Sequence, residues 1–251
     1  MTDTTFDFDD GQGPVPAHQH SNGGGWVADT AFVHDTARVG QNARVFGCAQ
    51  VFGNVQVSGS AHVCGHARIS GNARVYSNAA VSGCARVSGN AAVHGYAWIS
   101  DNALVYGHAQ VYGHAKVYGN AKVYGNAKVF DGAHVFGNAK VCGDTKVHVA
   151  AGVFGDTEVY GRAQVSDAAR ISGNARISGN ARVFGRAHVS EDARVSNHAE
   201  VSGNARVFGH AKVFDGAHVF GNAKVYGDTT VHVVARVFGN AHVFGDTEVR
   251  L

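Results

Sequence analysis

Residues 115–132, AKVYGNAKVYGNAKVFDG, are three copies of one six-residue unit. Stepping by six from Val27 to Val249 meets Val or Ile at all 38 positions, and Ala stands two places earlier in 32 of them. Because side chains alternate across a strand, the Ala and the Val of each unit share one face, and the residue between them points the other way. The pattern predicts one short strand per unit, with Ala and Val forming a thin core.

Each unit ends in residues that favour a sharp corner. After the Val comes one more outward residue, then usually Gly, then Asn, Asp or His, as in Val117-Tyr-Gly-Asn. Gly and Asn tolerate the positive φ angles that a tight corner demands. A helical repeat is excluded, because the aliphatic period is six and Gly in every unit would weaken a helix.

Over residues 25–251 the repeat resembles the hexapeptide-repeat left-handed β-helix. The resemblance implies an all-β, single-stranded parallel β-helix, in which three units close a triangular coil and the chain makes about 12–13 coils. With strands about 4.8 Å apart, such a solenoid is about 60 Å long. Gly stands one place later than is usual in that family, so we expect a variant corner. The start of the repeat, Gly24–Val27, also resembles that of uncharacterised bacterial and phage polymer-forming hexapeptide-repeat proteins.

The two ends of the sequence differ from each other. Residues 1–24 lack the period and include Pro14 and Pro16, so they are expected to form a flexible arm or a cap over the first coil. At the other end the repeat continues in register to Leu251, without the C-terminal helix of acyltransferases of this fold. The last coil is expected to present an open edge.

A longer repeat lies within the short one. KVFDGAHVFGNAKVCGDTKVH, which starts at Lys128, returns from Lys212 as KVFDGAHVFGNAKVYGDTTVH. The offset is fourteen units but not a whole number of three-unit coils, so equivalent residues are expected on different faces. A duplication of this length would have moved a binding or catalytic site from one face to another. The long repeat therefore argues against a function confined to one face.

Composition gives few partners. The net charge of +2 is too balanced to indicate nucleic-acid binding, and no apolar run is long enough to span a membrane. The first ten residues lack the basic and apolar regions of a signal peptide, and four cysteines without a secretory cue indicate free thiols in a reducing compartment. The predicted location is the cytoplasm, or a virion if the chain is phage-encoded.

Enzymatic alternatives find little support in the residues. Acyltransferases with this repeat use a loop that protrudes from the coil and a His at a subunit interface, and no insertion breaks the register here. We therefore predict neither catalytic residues nor a cofactor. Many His residues simply take the corner position otherwise filled by Asn or Asp, where His is tolerated. They are His66, His108, His114, His198 and His210.

One group of residues suggests a metal. Cys48, His66 and Cys84 recur at the period of one coil, so they stack at one corner, and Cys64 lies two places before His66. Sulfur and imidazole are zinc ligands. Cys48 and Cys84 are two coils apart, roughly 9.6 Å, which is long for a shared ion and too long for a disulfide. A γ-type carbonic anhydrase site, for which His62 and His66 are the local analogue, lacks its acidic and amide partners. Cys48, Cys64, His66 and Cys84 are the metal-site hypothesis, against simple tolerance of small residues there.

Aromatic residues form the most conspicuous outer feature. The residue after Val is aromatic in 18 units and Ser in 11. Rings on neighbouring coils would stack and stiffen the solenoid, whereas exposed rings would also offer docking surface. Two belts are therefore candidate assembly surfaces: the first belt, Tyr106, Tyr112, Tyr118, Tyr124, Phe130 and Phe136, and the second belt, Phe208, Phe214, Phe220 and Tyr226.

Taken together, the pattern favours a non-enzymatic structural scaffold. We expect it to form a homo-oligomer, either a trimer or an end-to-end or side-by-side assembly, or to display its repetitive faces to a partner. Two alternatives stay open: an acyltransferase-like trimeric enzyme, and a module that binds glycan or polyanion. The aromatic belts would bind the glycan, and a polyanion would bind the Lys or Arg that precedes Val in 18 units, unless those charges only form a solvated face.

Overall fold

The computed structural model describes residues 4–251, and its regular structure is all β. Three strands come first: β1 (Thr5–Phe6), β2 (Val15–Gln19) and β3 (Trp26–Ala28). From β4 (Phe32–Val33) to β40 (Glu248–Val249), every strand has two residues and begins one repeat unit after the strand before it. No helix in the described range could cross a bilayer. Each short strand contains one outward residue and the Val or Ile that follows it, as the repeat predicts.

The chain forms two compact units, the first ending at Asn120 and the second comprising Ala121–Leu251. In the first unit, strands three apart in sequence pair in parallel, so each residue lies beside its equivalent three repeats later, as Val45 does beside Val63. The three parallel sheets of this unit are β3-β6-β9-β12-β15-β18, β4-β7-β10-β13-β16 and β5-β8-β11-β14-β17.

The second unit repeats this arrangement. We name its sheets by their first strands: the β21 sheet (β21-β24-β27-β30-β33-β36-β39), the β19 sheet (β19-β22-β25-β28-β31-β34-β37-β40) and the β20 sheet (β20-β23-β26-β29-β32-β35-β38). All are parallel, and partners are again three repeats apart, as for Val207 and Val225. Each unit is thus a parallel β-solenoid, and the described residues make about 12 turns in all.

The core of each unit is a column of small aliphatic side chains. From Ala37 to Val231, the Ala and the Val or Ile of every repeat are buried, most with no exposed surface. Thr145, Thr157 and Thr229 replace Ala and are also fully buried. Each core residue therefore packs on its equivalents one turn away, so the stability of each unit is a sum of contacts between neighbouring turns.

The corners depend on one backbone position. From Gly47 onwards, φ is positive at the residue two after Val, as at Gly65 (+66°), and the amide of Ala67 donates to the carbonyl of Cys64 (3.3 Å) across the turn. Positive φ at the first central residue alone is the signature of a type II′ turn. A Cβ on Gly65 would also lie 3.0 Å from the backbone nitrogen of Gly83. The Asn or His that follows needs no positive φ; from Phe32 onwards, only Gly216 and Val234 have one at that second position.

Residues 5–19 form a hairpin on the first turn. β1 pairs antiparallel with β2, and β2 pairs antiparallel with β3, opposing His18 to Val27. The ring of Phe8 is buried and stacks on Phe46 with centroids 4.9 Å apart. Arg44 Nη1 donates to the carbonyl of Phe8 (3.2 Å). The non-repetitive start of the sequence thus covers the outer edge of β3.

The long repeat falls on different sheets. Lys128–Val129 is β20 and belongs to the β20 sheet, whereas its equivalent in the second copy, Lys212–Val213, is β34 in the β19 sheet. The expectation that duplicated residues lie on different faces is confirmed. Identical side chains therefore meet different neighbours in the two copies.

Candidate functional site

Aromatic rings stack along the corners of the first unit. Tyr76, His94 and Tyr112 occupy the position after Val on three successive turns, with ring centroids 4.6 and 4.9 Å apart and nearly parallel planes. Burial, together with the positive charge of Arg74, lowers the pKa of His94. The imidazole is therefore neutral near pH 7 and behaves as one more flat ring in the stack.

The second unit contains several ring ladders of the same kind. Phe208, Tyr226 and Phe244 form a ladder over three turns, with centroids 4.8 and 5.3 Å apart. Their planes differ by 5° and 11°, so the rings cover one another's faces. A sugar or a base that stacks on an aromatic residue needs a free ring face. Tyr226, which has a ring on each side, offers mainly its edge, whereas Phe244 at the end of the ladder is 58% exposed.

The predicted belts consist of partly covered rings. All six rings of the first belt are half-buried, and so are Phe208, Phe214 and Tyr226 of the second, whereas Phe220 is 37% exposed. Phe220 stacks on Phe238 at 5.4 Å. The stacking part of the prediction is confirmed in these ladders. The belts as assembly surfaces stay a prediction.

The predicted metal residues are arranged along one corner of the first unit. Cys48 and Cys84 are exposed, and the amides of Cys48, His66 and Cys84 each donate to a carbonyl on the next turn. Cys64 is half-buried and packs against the apolar cluster under the hairpin. Burial, with a smaller contribution from Asp10, raises the pKa of the Cys64 thiol, which disfavours the thiolate that zinc binds.

Within residues 4–251, no three His, Cys, Asp or Glu side chains converge as metal ligands do. The nearby His62 has its pKa lowered by burial and by the charge of Arg44, against the opposing charge of Asp9. The zinc site stays a prediction that no contact in the described structure supports.

Histidines at the corners take the place of asparagine. The amide of His66 donates to the carbonyl of Gly83 (2.8 Å), as the amide of Asn72 does to Gly89 (2.8 Å). His198 Nε2 lies 3.2 Å from Asn180 Nδ2. It thus occupies the place where other corners have an Asn or Asp side chain bonded to the Asn one turn earlier, as Asp192 is to Asn174. These residues therefore serve the backbone geometry of the corner.

Outward charges in two sheets of the second unit are balanced by carboxylates. In the β19 sheet, Glu158 accepts from Lys140 Nζ (2.9 Å) and lies 3.6 Å from Arg176 Nε. The hydrogen bond from Lys140 lowers the pKa of Glu158. In the β20 sheet, Glu200 lies between Arg182 (3.6 Å) and His218 (3.4 Å). Both columns are therefore mixed in charge.

The β21 sheet differs, because its outward column has no carboxylate. The column is His134, Gly152, Arg170, His188, Arg206, Lys224 and His242. Burial, and then the charges of Arg170 and Arg206, lower the pKa of His188. Two grooves, of about 440 and 290 Å³, lie on this face, the first beside Arg170 and the second beside Arg206.

Sequence reasoning overlooked this acid-free column. Its signal is present in every eighteenth residue from His134, but it emerges only when the three columns are separated and compared. When all repeats are counted together, Glu158 and Glu200 offset the Lys and Arg residues in the total. Both carboxylates belong to the other two sheets, so they leave the β21 column without an acidic residue.

A family model described as YdcK beta solenoid repeat matches residues 49–65, 67–83, 97–113, 169–183 and 175–191. Each match spans about one turn of three repeats, and both units contain matches. No curated protein matches the chain. The match and the parallel turns agree that this is a β-solenoid repeat protein.

Proposed function

We propose that the chain is a non-enzymatic structural scaffold that associates with copies of itself. The observation that carries the proposal is uniformity: from Phe32–Val33 to Glu248–Val249, every strand keeps the same length and spacing. An active site needs side chains that converge from different directions, which loops usually supply. Here neighbouring turns present the same positions side by side, which suits repeated contacts with a partner.

Exposed rings are the surface that favours self-association. Phe220 and Phe238, stacked on each other in the β20 sheet, are 37% and 58% exposed. Contiguous exposed apolar surface commonly marks a protein interface. Ser166 and Ser202 occupy the same column, so Ser fits this position in the fold.

Sedimentation velocity and negative-stain electron microscopy over a wide concentration range test the proposal. We expect a defined oligomer or filament. Substituting F220S/F238S should shift the distribution towards monomer, whereas Phe184→Ser, a half-buried ring of the same sheet, should leave it unchanged. A monomer at every concentration would overturn self-association.

Calorimetric titration with acetyl-CoA tests the enzymatic alternative. A scaffold should give no saturable heat. Saturable binding of acetyl-CoA would instead favour an acyltransferase-like protein and contradict the proposal.

A further inference from the structure

Three ladders run side by side on the outer face of β33 (Arg206–Val207), β36 (Lys224–Val225) and β39 (His242–Val243). The strands pair in register, with Arg206 opposite Lys224 and Lys224 opposite His242. The face therefore repeats along the solenoid axis at the strand spacing, about 4.8 Å. We call it the three-ladder face; it consists of Asn204, Asn222 and Asn240, of Arg206, Lys224 and His242, and of Phe208, Tyr226 and Phe244.

The middle ladder carries uncompensated positive charge. Neither Arg206 nor Lys224 forms an ion pair with a carboxylate of residues 4–251. Asp228 and Asp246 occupy the corner beyond the aromatic ladder. Glu191 lines the groove beside Arg206 but accepts from the amide of Gly209 (2.9 Å) and forms no ion pair with Arg206. A cationic column of this kind attracts an anion, since nothing on its own strands neutralises it.

The amide ladder adds hydrogen-bonding groups beside these charges. Asn204 Nδ2 donates to Asn222 Oδ1 (3.0 Å), and Asn222 Nδ2 donates to Asn240 Oδ1 (3.1 Å). An amide has two N–H donors and two acceptor lone pairs, so each link uses only part of its capacity. All three side chains are exposed. The remaining groups can bind hydroxyls of a ligand.

The aromatic ladder disfavours one class of polyanion. Tyr226 lies between Phe208 and Phe244, so both of its faces are covered, whereas Phe244 at the end of the ladder is 58% exposed. The face therefore offers no succession of free ring faces for consecutive bases. Single-stranded nucleic acids gain much of their affinity by stacking bases on free ring faces. Ring edges instead offer apolar contact to the carbon skeleton of a sugar.

We propose that the three-ladder face binds an anionic polysaccharide, whose acidic groups pair with Arg206 and Lys224 and whose hydroxyls bind the asparagine ladder. A linear polymer suits the face, because all three ladders repeat in one direction. The proposal goes beyond the scaffold function and does not depend on self-association, so either can fail alone.

Titrations with three polymers test the proposal: heparin, which is sulfated; polygalacturonate, which is carboxylated; and dextran, which is uncharged. At least one anionic polymer should bind, and dextran should not. The stronger of the two identifies the acidic group. Binding of dextran as tight as that of the anionic polymers, or no binding of either anionic polymer, would overturn the proposal.

Two double variants distinguish binding at the three-ladder face from non-specific attraction to positive charge elsewhere on the protein. R206Q/K224Q should weaken binding about tenfold or more and flatten its dependence on salt. R194Q/K212Q removes the same charges from adjacent strands of the β19 sheet, where Asp192 and Asp228 lie close by, and should change affinity less than about threefold. Equal losses in both variants would contradict a specific face.

Two further measurements test whether the asparagine side chains contribute to binding and whether the polymer is a polysaccharide or a nucleic acid. Asn222→Ala should lower affinity for the anionic polysaccharide without changing its salt dependence, since no charge is lost. Poly(dT) serves as the nucleic-acid probe and should bind more weakly. If poly(dT) binds more tightly and loses that affinity in R206Q/K224Q, the face is a nucleic-acid site and the proposal is wrong.

Discussion

Individual residues at the corners carry the strain of the fold. Val149, with φ of +60°, occupies a position where most corners have Gly. A β-branched residue in the left-handed region is a steric outlier that costs on the order of 1–2 kcal/mol. Val149 is also 42% exposed, so its side chain gains little from burial.

We therefore expect Val149→Gly to stabilise the second unit by about 1 kcal/mol, after the entropic cost of Gly. The converse change, Gly143→Val, should destabilise it by more, because a Cβ there would lie 2.7 Å from the carbonyl oxygen of Gly161. Urea unfolding of both variants measures the effect. A urea midpoint for Val149→Gly below that of the unchanged protein would contradict backbone strain at this residue.

Glu158 makes the stability of the folded protein depend on pH. Its pKa is lowered in the folded protein, so its stabilisation is present above the unfolded pKa of about 4.3 and is lost as pH falls through the folded value. Glu158→Gln should cost less than about 1 kcal/mol at pH 7, since the pair is partly exposed, and nothing near pH 2. Unfolding free energies of both proteins at several pH values check this. A difference that persists unchanged at low pH would contradict it.

At the scale of elements, the hairpin of β1 and β2 depends on the first turn. Arg44 holds it in three ways: a hydrogen bond to the carbonyl of Phe8, an ion pair with Asp9 and a guanidinium 5.2 Å from the ring centre of Phe6. Phe8 and Phe46 supply the apolar contact beneath. The attachment therefore combines one charged anchor with a small aromatic cluster.

Arg44→Ala should loosen this hairpin without unfolding the turns that follow. We expect amide hydrogen exchange in Val15–Gln19 to accelerate, while exchange in strands such as His62–Val63 stays slow. Arg38→Ala, an exposed Arg of the β5 strand with no contact to the hairpin among the described interactions, is the control. Unchanged protection of β2 in Arg44→Ala would show that the aromatic cluster suffices.

The elements differ in how far sequence predicts them. Strands such as Lys116–Val117 follow directly from Ala two places before Val, because each repeat contains its own strand and corner. The hairpin could not be predicted, since it depends on contacts between distant residues such as Phe8 and Phe46. The three-ladder face lies between these cases: its residues are visible in the sequence, but only the three-repeat turn brings Arg206 beside Lys224.

At the scale of the whole molecule, the fold requires the six-residue register of the core, but it does not require a given repeat to lie on a given sheet. The long duplication placed β20 and β34 on different sheets and left the core register intact. Stability then comes from stacking any turn on any other, not from one specific face. Whole repeats should be removable, whereas a change of register should not be tolerated.

Thermal unfolding of two deletions in the second unit tests this most directly. Removing residues 169–174, one whole repeat, keeps Ala and Val on the inner face. Removing residues 169–173 shifts the register by one, which turns Arg176 inward or forces an irregular corner. We predict that the six-residue deletion retains a β-type circular dichroism spectrum and one cooperative transition, and that the five-residue deletion loses both. Equal behaviour of the two proteins would contradict the repeat as the basis of the fold.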